Sequence, residues 1–107
     1  MEGGPDPRTL LRALLLAIEG GRKGEYGDWG FEQFRKILGR FVALRMASWD
    51  SVEVCICWEN RCEPIARLPI EASFEQALRV AFEAVRSDPR AARALTIAVA
   101  REAMKML

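Results

Sequence analysis

Histidine is missing from this chain, and the side-chain amides are reduced to one asparagine (Asn60) and two glutamines (Gln33 and Gln76). Without histidine there is no Ser-His or Cys-His nucleophilic unit, and the usual companion of cysteine in a structural zinc site is gone. No apolar run approaches the roughly 20 residues that span a bilayer. Residues 10–18 form a short apolar run, but Glu2, Asp6 and Arg12 do not suit a signal peptide. Net charge is also scarce: 16 basic against 15 acidic residues leave +1, which gives no general pull toward nucleic acid, membranes or acidic partners. There is no P-loop and no G-x-G-x-x-G. Gly20, Gly21 and Gly24 precede a polar loop and do not link a strand to a helix, so they make a poor phosphate cradle. These absences yield no catalytic residue, no cofactor and a non-enzymatic, cytoplasmic protein as the expectation. The rarity of thermolabile amides points to a thermophilic source.

What is present fits one globular domain over residues 1–107, with half its residues hydrophobic and 29% charged. Residues 1–6 read as a flexible tail. Asp6-Pro7 predicts an N-cap with proline at the first helical position. Leu10, Leu11, Leu14, Leu15 and Ile18 then share a helical face, and Gly20-Gly21 ends the helix. After a polar loop at residues 22–27, Asp28 caps a second helix running to about Met46, with Phe31, Phe34, Leu38, Phe41 and Val42 inside. Gly39 within it signals a close helix crossing.

The period then changes from 3.6 to 2. Val52, Val54, Ile56 and Trp58 alternate with Glu53, Cys55, Cys57 and Glu59, and a return strand follows from Cys62 to Ile70. Pairing Trp58 with Cys62 around a three-residue loop sets Val52 opposite Leu68, Val54 opposite Ala66 and Glu53 opposite Arg67. Asn60 or Arg61 takes the left-handed position in that loop. Pro64 and Pro69 make the second strand an edge. Ser73 and Gln76 form a capping box before an amphipathic helix of Phe74, Ala77, Leu78, Ala81, Phe82 and Val85. Ser87-Asp88-Pro89 starts a last, alanine-rich helix with two apolar sides. The expected fold class is α+β, mainly helical, in the order α-α-β-β-α-α: four helices and one antiparallel hairpin at residues 51–70.

Three constellations bear on function. Cys55, Cys57 and Cys62 are compatible with structural free thiols, a Cys57–Cys62 disulfide or a metal site. The disulfide needs a register different from the one above, since that register puts Cys62 on the face opposite Cys55 and Cys57. Arg35, Lys36 and Arg40 on the second helix, with Arg90, Arg93, Arg101 and Lys105 on the last, could follow a phosphate backbone or serve as solvated ion-pair faces. Arg22 and Lys23, near Tyr26 and Trp29, add a basic and aromatic loop. Trp29, Trp49 and Trp58 stand at element boundaries and read as core-edge packing. Charge is also polarised along the chain: residues 28–49 and 88–107 each carry +2, and residues 50–71 carry −3.

The order of elements across residues 7–107, with residues 52–70 as the hairpin, resembles the small subunit of archaeal type I CRISPR interference complexes. The resemblance is one of architecture and transfers no individual residue. It implies a non-enzymatic subunit that packs against its own kind and helps hold nucleic acid in a larger assembly. The leading expectation is therefore an assembly module, either a homo-oligomer or a subunit of a nucleic-acid-associated complex, with no membrane partner. The alternatives are a redox- or metal-linked protein using the three cysteines, and an archaeal or viral protein of unrelated role.

Overall fold

The computed structural model describes residues 6–23 and 28–107, with the side chains of residues 21–23 left aside. Helix α1 (Pro7–Lys23) starts as its sequence predicts: the Thr9 amide donates to Asp6 Oδ1 at 2.8 Å. That bond, with those to the Thr9 side chain, holds the Asp6 carboxyl below its usual pKa. The helix runs through Gly20-Gly21 instead of stopping there. Its buried stripe is Leu10, Ala13, Leu14 and Ala17, whereas Leu11 and Leu15 face outward.

The second helical region departs most from expectation. Asp28 is the first helical residue of α2 (Asp28–Gln33), which loosens into a π turn (Phe34–Leu38) and tightens into a 3-10 turn (Gly39–Phe41). There the helix ends. Val42–Ser48 is a strand, β1, not the last turns of a helix reaching Met46. The switch follows from pairing: β1 lies antiparallel beside β2 (Ser51–Trp58), with Val42 opposite Ile56 and Leu44 opposite Val54. With β3 (Arg61–Pro69) the sheet has three strands in the order β1-β2-β3, so the expected hairpin is two-thirds of a meander. The full order is α-α-β-β-β-α-α, and the α+β, mainly helical class stands.

Helices α3 (Phe74–Ser87) and α4 (Pro89–Lys105) cover one face of the sheet, α3 reaching β1 and α4 reaching β2. The capping box at Ser73 is formed in both directions: the Gln76 amide donates to Ser73 Oγ at 3.1 Å and the Ser73 amide to Gln76 Oε1 at 2.8 Å. Asp88 caps α4 by accepting from the Arg90 amide at 3.0 Å. Phe74, expected inside, is exposed; Ala77, Leu78, Ala81, Phe82 and Val85 are buried as predicted. On α4 the buried stripe is Ala91, Ala94, Leu95, Ala98, Val99 and Ala103, and Met104, Met106 and Leu107 are exposed.

The core joins the inner face of β2 (Val54 and Ile56, both fully buried) to Phe31, Phe34 and Leu38 of the second helical region. Phe82 of α3 meets Phe31 edge-on at 5.7 Å and Phe34 at 5.2 Å between ring centroids. Gly39 is the close crossing that its sequence suggests: a Cβ there would stand 3.2 Å from Leu78 Cδ2.

Candidate nucleic-acid interface

The register of β3 on β2 arranges the chemistry at one end of the sheet. Near the β1–β2 turn it is the predicted one, with Val52 opposite Leu68, Glu53 opposite Arg67 and Val54 opposite Ala66. Then β3 slips by one residue: Cys55 is opposite Pro64, so Ile65 is extra. Because side chains alternate with period 2, such a slip moves every later side chain to the other face. Cys62 thereby joins the face of Cys57 and sits directly opposite it. Arg61 and Glu63 turn to the helix side, toward α4.

The turn has two residues, Glu59 and Asn60, since Trp58 pairs with Arg61 and not with Cys62. The left-handed residue is Glu59, at φ 52°, instead of Asn60 or Arg61. Cys57 and Cys62 form a disulfide, with their Cα atoms 4.1 Å apart. Of the three states open to the cysteines, Cys57 and Cys62 therefore adopt the disulfide. Cys55 remains a free thiol, fully buried, and burial raises its pKa. Among the described residues no cluster of three cysteine or carboxylate side chains could hold a metal ion.

On the helix side of this tip, Trp58 separates two clefts. One, of about 230 Å³, is lined by Arg40, Phe41, Cys57, Glu59, Ala98, Arg101, Glu102 and Lys105 as well as Trp58. The other, of about 200 Å³, is lined by Arg61, Glu63, Arg90, Arg93, Ala94 and Ile97 with the same indole. Six basic side chains from the 3-10 turn, β3 and α4 thus surround one half-buried tryptophan, against three carboxylates. Five of the seven basic residues that the sequence points to meet here: Arg40, Arg90, Arg93, Arg101 and Lys105. Arg35 and Lys36 line neither cleft. Arg35 donates to both carboxylate oxygens of Glu32, at 2.8 and 3.1 Å, which raises its pKa further. Tyr26 and the side chains of Arg22 and Lys23 lie outside the described residues, while Trp29 is exposed.

The polarity along the chain is largely satisfied internally. Arg101 approaches Glu59 at 3.6 Å and Arg90 approaches Glu63 at 3.8 Å, so the basic α4 clasps the acidic β2–β3 tip. Arg40 approaches Glu102 at 3.7 Å. All three contacts exceed hydrogen-bond length and involve exposed arginines, so each is worth about 0–1 kcal/mol. A phosphate could displace these carboxylates at little cost. Arg61, Arg93 and Lys105 make no ion pair with a described residue and are free to meet one.

Arg61 joins those five basic residues from β3. Arg61 could not be placed from sequence, because its face depends on the extra residue at Ile65. Trp58 packs at the edge of the core, as its boundary position suggests. Trp29 and Trp49 are exposed and do not.

No family model, curated protein or solved structure matches this chain. Among the described residues no helix is long and apolar enough to cross a membrane.

Proposed function

We propose that this protein is a non-catalytic assembly module that holds single-stranded nucleic acid along α4 and the β2–β3 tip. The supporting observation is the convergence of Arg40, Arg61, Arg90, Arg93, Arg101 and Lys105 on both sides of Trp58. Single strands are held by this combination: cations follow the phosphates, and an aromatic side chain offers a stacking surface to any base. The near-neutral net charge limits affinity for the isolated chain and suits a subunit that contributes part of a longer path. This is the role implied by the resemblance to the small subunit of CRISPR interference complexes, and it needs no catalytic residue or cofactor. A cytoplasmic setting in a thermophile accommodates the Cys57–Cys62 disulfide, because disulfides persist inside such cells.

The test is fluorescence anisotropy of a labelled oligouridylate across a salt series. Binding should weaken steeply with salt, with a log–log slope of about −0.7 per phosphate contacted. Replacing Arg61 and Arg93 together by alanine should reduce the magnitude of that slope by about 1.4. Absence of binding at low salt, or a slope unchanged in the double variant, overturns the reading.

A further inference from the structure

The two edges of the sheet differ in how they are protected. The β3 edge carries Pro64 and Pro69 and the irregularity at Ile65, devices that keep another strand from adding there. The β1 edge has no proline. Its irregularity, at Ala47, lies next to the turn and leaves residues 42–46 in regular pairing with β2. Among the described residues no strand lies beyond β1. Its one charge, Arg45, is drawn back over the sheet by Glu53, whose Oε1 lies 2.9 Å from Arg45 Nη2. Met46 beside it is 68% exposed.

We infer that the β1 edge pairs antiparallel with β1 of a second copy of this chain, joining two three-stranded sheets into one of six. The sequence of β1 suits itself in one register. With the two-fold axis at Leu44, Val42 of one copy faces Met46 of the other, and Ala43 faces Arg45. The apolar residues on the helix side, Val42, Leu44 and Met46, then run unbroken across the seam. On the other side each arginine meets an alanine instead of its like, and both Arg45–Glu53 pairs survive. A register centred on Arg45 would instead set two guanidinium groups together. The reading deepens the assembly role by naming the partner, and it uses none of the residues around Trp58.

The experiment is sedimentation equilibrium of the intact chain without nucleic acid, over a wide concentration range. The wild type should pass from 12.1 kDa to twice that mass as concentration rises. Ala43→Arg puts a cation opposite Arg45 of the second copy at two symmetric places and should weaken dimerisation about tenfold. Ala43→Glu should strengthen it instead. Opposite effects at one position separate a seam contact from damage to the fold. Amide hydrogen exchange of wild-type β1 provides a check that needs no variant, since its outward amides should slow as concentration rises. A monomer at every concentration, a dimer indifferent to the sign of the charge at residue 43, or β1 exchange independent of concentration each overturns the proposal. None of these outcomes bears on oligouridylate binding, so the two readings fail separately.

Discussion

Strand β2 is shared by two hairpins that close by different means. The β1–β2 turn is held by small polar contacts: Ser48 Oγ lies 2.7 Å from Asp50 Oδ1 and 2.7 Å from Ser51 Oγ. The Asp50 carbonyl also accepts from the Ile70 amide at 3.0 Å, which ties this turn to the far end of β3. Trp49, at 87% exposure, projects from it. The β2–β3 turn is locked covalently by Cys57–Cys62, places Glu59 at positive φ, and is clasped to α4 by two ion pairs. The comparison separates two tasks. The locked tip brings Trp58 and Arg61 up to the cations of α4 and the 3-10 turn, whereas the other hairpin leaves its outer strand edge without a neighbouring strand among the described residues.

Three variants test this contrast. The largest effect belongs to the strand that both hairpins share. Ile56 is fully buried, so Ile56→Ala should cost about 3–4 kcal/mol in urea unfolding. It should also lower amide protection in β1 and β3 together, and loss in one hairpin alone would show that they are not one cooperative unit. The covalent lock comes next. Opening the short Cys57–Cys62 loop, which has a sequence separation of 5, with Cys57→Ala and Cys62→Ala should cost about 2 kcal/mol. Here the added exchange should be confined to the β2–β3 tip, and equal loosening of the Ser48–Ser51 turn would contradict the division of tasks. The smallest effect comes from Glu53, which reaches Arg45 on β1 and Arg67 on β3, at 2.9 and 3.9 Å. Glu53→Gln should cost about 0.5–1 kcal/mol and act mainly on the β1–β2 hairpin, where Glu53 accepts hydrogen bonds from Arg45. The difference from wild type should shrink at high salt, where the pairs are screened.

The legibility of the two hairpins in the sequence differed for the same physical reasons. The β2–β3 pair announces itself through strict alternation from Val52 to Glu59 and through Glu53 facing Arg67. The caps at Asp6, Ser73 and Asp88 were equally readable, since each is a local bond between neighbours in sequence. β1 was hidden because Val42, Ala43, Leu44, Met46 and Ala47 fit a helix as well as a strand and follow a strong helical pattern without proline. Only long-range pairing with β2 decides the matter. For the site, the cations on α4 were visible as residue types, and their convergence was not. That depends on the one-residue slip at Ile65, which turns Arg61 toward α4 and Cys62 toward Cys57. Pro64 was the available signal, because a proline inside a strand marks an edge or an irregularity.

The π turn at Phe34–Leu38 bears on how this chain tolerates changes in its own length. A turn closed from residue i to i+5 holds one residue more than an α turn. Loss of a single exposed residue there, Arg35 or Lys36, would let the turn revert to α-helical winding. Phe31 before it and Phe41 after it could then keep their places in the core. The start of β1 is thus buffered from the helix preceding it: a residue can be removed upstream without shifting the strand register, as long as the spare one is taken from this turn.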